Sequence, residues 1–573
     1  MPLCDYVGAA RSVHYDIGTI LLAYIKRIFV PWISTFYLLL CHPAQRSLAP
    51  TVTLDQATVV GIPGGVVNSF LGIPFAKPPT GPLRFNLPVP NDPYTGTIQA
   101  TAFGPSCPQQ ALQIPLPSIL PSAVTQLVDS ITDFTFEVVE PASEDCLSLN
   151  VFVPNSATPS SKLPVVVWIF GGGFETGSSS TYPGGIIVSR SIALGKPIIY
   201  VSINYRLSAL GFLASQEVKD AKIGNLGLQD QRQAFRWVQK YISQFGGDPS
   251  KVTIWGESAG AISVALHMVA NGGNNEGLFR AAFMESGSPA PSKDITGGQA
   301  NYDALVSAVG CNGASDTLAC LRTVDFQKLQ IAMDNSANLF GSQSLNLAWG
   351  PSVDGVFITA APQKLVQTGR VAKVPFVTGD CDDEGTIFSL SLLNIITDTD
   401  FVNYMTSNYF PTANTSIQTQ MSTLWPEDVT QGSPFDTGLL NAITPQFKRL
   451  AAIQGDLAFQ APRRFFLKQR SGIQNTWSFL NKRLKLTPVI GTAHATDLLQ
   501  VYVAGELQDA LINFVANLNP NGATIPSWPQ YSTSSPRLFT LTDDILFPVS
   551  ITQDTYRASA LAFATQLTLD LGL

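Results

Sequence analysis

Five short apolar runs in the middle of the chain constrain its fold more than any other feature. Each is nearly continuous in apolar residues and rich in valine and isoleucine, as is typical of strands buried on both faces of a sheet. Between the second and third runs, segment 230–245 carries apolar residues at helical spacing and ends at Gly246 and Gly247. Strands that alternate with helices predict an α/β fold with a mostly parallel sheet. The runs are 163–170, 197–204, 251–255, 281–287 and 374–380.

Length and composition agree with one large unit of this kind. The chain has 573 residues, 45% of them apolar and 13% charged, so it can bury an extensive core. The formal net charge is -7. Nucleic-acid-binding proteins usually carry a basic stripe, and the composition of this chain does not indicate one. The sequence contains no C-x-x-C motif and no Cys/His cluster, so it gives no indication of a metal site. We therefore expect no nucleic-acid partner, no metal and no cofactor.

The first 48 residues differ from the rest of the chain. Lys26 and Arg27 precede an apolar run over 28–41, and a polar stretch follows it. This layout predicts a secretory leader over 1–48, a single catalytic domain over 49–573 and an extracellular location. A membrane anchor is the alternative, but it would place Lys26 and Arg27 in hydrocarbon at about 2.5–3.5 kcal/mol each. We expect no stable membrane span in the mature protein.

Five of the seven cysteines lie outside the predicted leader, which leaves room for two disulfide bridges and one free thiol. A bridge between Cys107 and Cys146 would close a loop of about 40 residues, to which the chain-entropy model assigns about 4 kcal/mol. Cys311 with Cys320 would close a short loop and leave Cys381. Unpaired buried thiols are the alternative. Asn414 begins a glycosylation sequon, which fits a secreted chain.

The sequence GESAG, residues 256–260, points to a nucleophile. It follows the apolar run 251–255 and precedes a helical segment over 261–270. A G-x-S-x-G between a strand and a helix is typical of a nucleophile elbow, in which a tight turn exposes the serine oxygen above the sheet. Ser258 would then lie past the carboxyl end of a central strand, where open α/β sheets bind ligands. A purely structural serine is the alternative.

A serine hydroxyl needs a base to take its proton, and the chain has only four histidines. His14 and His42 fall in the predicted leader. His267 lies nine residues beyond Ser258 on the predicted helix, about 13 Å along its axis. His494 remains, and its place after Ser258 fits the order Ser, acid, His of α/β-hydrolases.

Two further groups are required, an acid that orients the imidazole and donors for an oxyanion. The acid has four candidates at the end of a predicted strand, and the residues alone leave the choice open among Asp380, Asp382, Asp383 and Glu384. For the donors, three successive glycines over 171–173 follow the first apolar run. Such a loop lets backbone N–H groups approach a developing oxyanion, although turn glycines with no such role are the alternative.

Several longer stretches occur in order along the chain. They are SEDCLSLNVFVP, VVVWIFGGGFETGS, SINYRLSALGFL, GNLGLQDQRQAFRWVQKYISQFGGDPSKVTIWGESAG, GDCDDEGT and GTAHATD. Together they resemble the type-B carboxylesterase/lipase family, of cholinesterase type. QGSPFDTGLLNAITPQFKR, residues 431–449, is similar to the secreted fungal lipases and sterol esterases with a three-glycine oxyanion loop. The resemblance runs from about Ala49 to the C-terminus.

The resemblance implies an α/β-hydrolase fold with a large central, mostly parallel sheet flanked by helices. It implies a catalytic triad of Ser258, Glu384 and His494. It also implies three oxyanion donors and two disulfide bridges. The donors are the N–H groups of Gly172, Gly173 and Ala259, and the bridges are Cys107–Cys146 and Cys311–Cys320.

The family places a mobile lid inside the first disulfide loop, so we expect a lid within 107–146. Core packing is the ordinary explanation for an apolar helical face. Exposing such a face of five side chains in water would cost up to about 10 kcal/mol, and lipid would remove much of that cost. The lid is therefore expected to open at an oil or micelle surface. The five residues are Val124, Leu127, Val128, Ile131 and Phe134.

These observations predict a secreted serine hydrolase of the triacylglycerol lipase type, acting through an acyl-enzyme as a monomer or weak homodimer. A general carboxylesterase or a sterol esterase would share every catalytic residue. A non-catalytic recognition protein of the same fold is a further alternative, against which the complete set of catalytic residues argues.

Overall fold

The structure is a computed structural model, and it describes residues 48–112, 122, 125–126 and 138–572. Those residues contain thirteen strands, numbered here in chain order. They are β1 Thr51–Leu54, β2 Ala57–Val60, β3 Val67–Pro74, β4 Thr97–Gln99, β5 Ser148–Pro154, β6 Leu163–Ile169, β7 Ile199–Ile203, β8 Gly247–Glu257, β9 Ala281–Glu285, β10 Phe376–Cys381, β11 Thr476–Asn481, β12 Arg537–Leu541 and β13 Val549–Gln553.

Ten of these described strands form one central sheet, in the order β13-β12-β11-β10-β9-β8-β6-β7-β5-β3. Neighbours from β12 to β7 are parallel, and β13, β5 and β3 are added antiparallel at the two edges. The five predicted strands coincide with β6 to β10, so the mostly parallel α/β sheet is confirmed. β1, β2 and β4 form a separate three-stranded sheet.

The direction of chain progression reverses between β6 and β8. β7 pairs with one side of β6, whereas β8 pairs with the other side and later strands continue outward from it. Ligands of open α/β sheets bind beyond the carboxyl ends of the strands at such a point. Because Ile169 of β6 lies opposite Gly256 of β8, the glycine loop and Ser258 emerge side by side.

Helices connect most of the strands of the described part of the chain and are also numbered in order. They are α1 Gly184–Ala193, α2 Ser208–Phe212, α3 Gln216–Ala221, α4 Leu226–Tyr241, α5 Ala259–Gly273, α6 Gln299–Ala308, α7 Thr317–Thr323, α8 Phe326–Asp334, α9 Pro362–Gln367, α10 Asp398–Asn408, α11 Thr415–Leu424, α12 Phe447–Gly455, α13 Ala461–Arg470, α14 Leu498–Tyr502, α15 Glu506–Asn517 and α16 Ala558–Leu571.

The helix predicted over 230–245 is right in type and wrong at its start. α4 begins at Leu226, and a 3₁₀ turn over Ile242–Phe245 follows its end. Asn225 precedes α4 without a capping hydrogen bond, because its side-chain oxygen accepts the N–H of Ser352 instead. Asparagine is a residue type favoured before a helix, so the sequence carries a start signal at Asn225 that the spacing of apolar residues did not reveal. The end was predicted correctly, since Gly246 has a φ of 88° and stops the helical turns.

Both disulfide bridges implied by the resemblance are formed. Cys107 is bonded to Cys146, and Cys311 is bonded to Cys320. Cys381 is a free, buried thiol. The first bridge ties the two ends of the predicted lid segment together.

Some predictions fall outside the described residues. The chain divides into two units, Met1–Ala49 and Pro50–Leu573, and the fold above is that of the second. Residues 1–47 of the predicted leader and all five lid positions lie among residues that the structure does not describe. None of the described helices has the length and apolarity to cross a membrane. Asn414 is exposed before α11, where its side-chain oxygen accepts the N–H of Ile417; its glycosylation stays a prediction.

A buried ionic cluster ties the last strand to α13. Asp554, which follows β13, binds Arg463 Nη2 at 3.1 Å and Arg464 Nη2 at 2.6 Å. The hydroxyl of Tyr531 donates to the same carboxylate at 3.0 Å. Arg463 also donates to Asp380 at the end of β10. The cluster thus joins the edge of the sheet to its centre.

We expect Asp554→Asn to lower the free energy of unfolding by about 3–5 kcal/mol, because it leaves buried guanidinium charge uncompensated. The shift of the urea midpoint measures the loss. Asp92→Asn is the control, since Lys77 and Asp92 form an ion pair with side chains 38% and 84% exposed; it should cost about 1 kcal/mol at most. Equal effects of the two substitutions would contradict the prediction.

The same cluster gives the sign of a pH dependence. Burial opposes ionisation of Asp554, but the charges and hydrogen bonds of Arg463 and Arg464 outweigh it and hold its pKa well below the ordinary value. A carboxyl with a lowered pKa stabilises the fold above its unfolded-state pKa and loses that effect as the pH falls. The difference between wild type and Asp554→Asn should therefore shrink below about pH 4.

Candidate active site

Ser258 lies in a tight turn between β8 and α5, as the elbow prediction requires. Its φ of 56° and ψ of -126° fall in a strained region for a residue with a side chain. A Cβ atom on Gly256 would lie 2.8 Å from the carbonyl oxygen of Ile169, and one on Gly260 would lie 2.9 Å from that of Phe170. Both flanking positions thus admit only glycine, which explains the G-x-S-x-G spacing.

His494 lies within hydrogen-bond distance of the serine. Its Nε2 is 2.7 Å from Ser258 Oγ, although the two residues are 236 positions apart. The rings of Phe388 and Phe459 pack on the imidazole with centroids 5.2 Å and 4.6 Å away. Burial lowers the pKa of His494. The imidazole is therefore neutral at neutral pH, the state that a general base needs.

His267 does not compete for this role. It is buried on α5 between Phe235 and Phe357, and its Nε2 is 2.9 Å from the side-chain oxygen of Gln231. Its place is consistent with the helical distance estimated from the sequence.

The structure separates the four candidate acids. Glu384 Oε2 is 2.5 Å from His494 Nδ1. Asp380 accepts a hydrogen bond from Arg463, whereas Asp382 and Asp383 both bind Lys485. The geometry therefore assigns the position beside the imidazole to Glu384.

The second oxygen of Glu384 is also held. Oε1 accepts the Ser286 hydroxyl at 2.7 Å and the Cys381 N–H at 2.6 Å. Burial raises the pKa of Glu384, and these two donors oppose the shift. With both oxygens fixed, the carboxyl has one orientation relative to His494.

The glycine loop passes directly against Ser258. A Cβ atom on Gly171 would lie 2.9 Å from the Cβ of Ser258. Gly172 and Gly173 have φ values of 98° and 67°, which favour glycine. Ala259 is the first residue of α5, where N–H groups lack intrahelical acceptors. The N–H groups of Gly172, Gly173 and Ala259 have no hydrogen-bond acceptor among the described residues.

Sequence reasoning missed two residues beside the triad. Glu257, the x of the pentapeptide before Ser258, has Oε1 3.4 Å from His494 Nε2. Neither of its oxygens has a hydrogen-bond partner among the described residues. Burial, together with the nearby acids Asp497, Glu285 and Glu384, raises its pKa well above the ordinary value. Its position in the motif was the available signal. The other residue, Ser286, had none.

The arrangement brings a hydroxyl, a neutral imidazole, a carboxyl and N–H groups without described acceptors together around one point. This set is what acyl transfer requires. Within the described residues, no group of three His, Cys, Asp or Glu side chains is placed to hold a metal ion. The expectation of no cofactor stays a prediction.

Comparison with known proteins agrees with this chemistry. The profile of the carboxylesterase family matches residues 49–563. "Lipase 4" of Diutina rugosa is 46% identical over 501 residues, 85% of this chain and 90% of that protein. "Secreted lipase 1" of Botryotinia fuckeliana is 45% identical over 512 residues, 86% and 89% of the two chains.

Two further comparisons extend the likeness. "Secreted triacylglycerol lipase LIP1" of Gibberella zeae is 40% identical over 509 residues, 86% of each chain. The crystal structure of Aspergillus niger EstA superposes with a TM-score of 0.76 at 29% identity, covering 91% of this chain and 99% of that one.

Proposed function

The chain belongs to the carboxylesterase family and is a carboxylic ester hydrolase, and we propose that it cleaves lipid esters of the triacylglycerol type through an acyl-enzyme on Ser258. The hydrogen-bonded path from Ser258 through His494 to Glu384 carries the proposal of mechanism. The names of the relatives, among them a secreted triacylglycerol lipase, support the substrate class.

In the proposed first half-reaction, Ser258 Oγ bonds to the ester carbonyl carbon while His494 Nε2 takes its proton. The carbonyl oxygen becomes an oxyanion that accepts N–H bonds from Gly172, Gly173 and Ala259. Glu384 stabilises the imidazolium through its Nδ1–H. His494 then gives the proton to the departing alkoxide oxygen, the carbon–oxygen bond breaks, and an acyl-serine remains.

Water completes the cycle by the same groups. His494 takes a proton from a water molecule, whose oxygen bonds to the acyl carbon and forms a second oxyanion in the same N–H groups. The bond to Ser258 Oγ then breaks, and the imidazolium returns its proton to the serine. The products are a free carboxylic acid and an alcohol.

We also propose that the segment closed by Cys107 and Cys146 is a lid and that the mature protein is extracellular, as a monomer or weak homodimer. The disulfide at the base of the segment supports the lid. The spacing of Val124, Leu127, Val128, Ile131 and Phe134 in the sequence, which predicts an apolar helical face, supports its opening at lipid. The leader and the word "secreted" in two relatives' names support export.

A substrate panel tests this function. We expect the rate on a triacylglycerol to rise steeply once its concentration exceeds solubility and droplets form, because lipid covers the opened apolar face. Changing Leu127→Ser together with Phe134→Ser should reduce that rise and leave hydrolysis of a soluble short-chain ester nearly unchanged. Rates are followed by titration of released acid.

Ile473→Ser is the matched control, because Ile473 is 60% exposed and outside the disulfide loop; it should behave as wild type. A rate with no dependence on droplets, with acetate esters preferred over oleate esters, would instead indicate a general carboxylesterase. A preference for cholesteryl esters would indicate a sterol esterase.

A further inference from the structure

A buried carboxyl in the glycine loop has no role in the mechanism above. Glu175 lies two residues after Gly173 and is 0% exposed. Its Oε2 accepts the N–H of Leu339 at 2.9 Å. Its Oε1 has no hydrogen-bond partner among the described residues. Buried acids are usually paired with a cation. A buried acid without one is unusual and indicates a specific role for Glu175.

The backbone of Glu175 shapes the turn that carries the proposed oxyanion donors. Its N–H donates to the carbonyl oxygen of Gly172 at 3.0 Å, and its own carbonyl accepts the N–H of Gln110 at 2.9 Å. Next to it, the N–H of Gly177 donates to the side-chain oxygen of Gln109 at 2.7 Å. Residue 175 is therefore fixed on both sides, and its side chain has a defined direction.

That side chain holds a second segment against the loop. A Cβ atom on Gly173 would lie 2.9 Å from Leu339 Cδ2, so Leu339 packs directly on Gly173. The Glu175–Leu339 hydrogen bond anchors this contact, and Gln110 Nε2 adds a bond to the carbonyl oxygen of Ser336 at 3.0 Å. A displacement of Leu339 would therefore change the position of Gly173 and of its N–H group.

We propose that Glu175 is a positioning residue for ester hydrolysis, which in its neutral form holds Leu339 against the glycine loop and on ionisation impairs the oxyanion hole. The inference rests on the proposed function. In the neutral form the unpartnered oxygen carries the proton. On ionisation that proton leaves to solvent, and a negative charge remains in the loop where the oxyanion must form.

The electrostatics agree with this geometry. Burial raises the pKa of Glu175 to about 8, and the N–H of Leu339 opposes the shift only in part. The residues whose described hydrogen bonds reach Glu175, namely Gly172, Gln110 and Leu339, are uncharged. The loop segments around them, 109–110, 336–340 and the rest of 172–177, contain no other acid and no base, and the nearby Asp334 accepts the N–H of Ala111. A carboxylate here would therefore have no counterion among those segments, and kcat should fall as the pH rises through about 8.

Two variants separate positioning from charge. Glu175→Gln keeps an oxygen for the Leu339 N–H and cannot ionise. Its kcat at pH 7 should stay within about twofold of wild type, and its alkaline fall should vanish or move up by about one pH unit. Glu175→Leu removes the acceptor of the Leu339 N–H, so kcat should fall about tenfold at all pH values with little change in KM. This fall is smaller than the one expected when an oxyanion donor itself is removed.

The experiment measures kcat and KM on a soluble short-chain ester from pH 6 to 10, with fluorophosphonate labelling of Ser258 at pH 7. A wild type that is neither labelled nor active would overturn the proposed function and this inference with it. A labelled, active wild type with no fall in kcat between pH 7 and 9 would overturn this inference alone, whether or not the variants fold. So would a Glu175→Gln variant that keeps the wild-type alkaline fall.

Discussion

Ser258→Ala is expected to lower kcat for ester hydrolysis by about 10⁶-fold while the protein stays folded. The substitution removes the oxygen that attacks the carbonyl, and the remaining groups can only polarise the ester for water. The turn itself depends on the glycines at 256 and 260 rather than on the hydroxyl. The thermal unfolding curve should therefore change little. Turnover of a chromogenic ester and fluorophosphonate labelling measure the loss.

Ser263→Ala provides a matched control for this substitution. Ser263 is a buried serine on the same helix, α5, and its hydroxyl donates to the carbonyl oxygen of Ala259 while accepting from Gln231. It has no contact with His494 among those described, so turnover should be close to wild type. A Ser258→Ala protein that still hydrolyses esters at near-normal rates would exclude Ser258 as the nucleophile.

The centre of the sheet could be predicted from the sequence, and its edges could not. Each of β6 to β10 contains a buried run dominated by apolar residues, such as VVVWI in β6, and these runs stand out from their surroundings, although β8 begins with GDPSK and β10 ends with TGDC. β13, with the sequence VSITQ, is only partly buried and mixes polar and apolar residues. Its place at the edge depends on antiparallel pairing with β12, which no local pattern indicates.

The pairing of Ser258 with His494, which the structure brings together, could be predicted because strong local limits apply to each residue. Only glycine fits around Ser258, and few histidines exist to serve it. The acid could not be chosen from the residues alone. Asp380 and Asp383 bind Arg463 and Lys485 instead of His494, and these partners lie 83 and 102 positions further along the chain, where no local pattern indicates the pairing. The resemblance to a family implied Glu384, and this is the carboxyl that the structure places beside His494.

Glu175 escaped prediction for a different reason. A glutamate after a glycine loop normally suggests an exposed turn residue. Glu175 is completely buried, Leu339 packs on the neighbouring Gly173, and the Glu175–Leu339 hydrogen bond joins positions 164 residues apart. Burial of this kind is a property of the assembled fold, and it turns an ordinary acid into one with a raised pKa.

Glu384→Gln is expected to lower kcat by about 10⁴-fold, although it changes little in size or shape. The Cys381 N–H cannot reverse its direction, so the amide oxygen must take the place of Oε1 and the amide NH₂ must face His494 Nδ1. Nδ1 then accepts rather than donates, and the proton of the neutral imidazole moves to Nε2. That nitrogen would donate to Ser258 Oγ and could no longer take its proton.

Glu384→Asp tests this explanation, since it keeps the carboxylate and only shortens the side chain. We expect a loss clearly smaller than that of the glutamine variant, because the tautomer with a free Nε2 is retained. Both variants should still react with a fluorophosphonate, slowly in the glutamine variant, which shows that Ser258 remains in place. A Glu384→Gln protein within about tenfold of wild-type kcat would mean that the acid merely packs against His494 and does not select its tautomer.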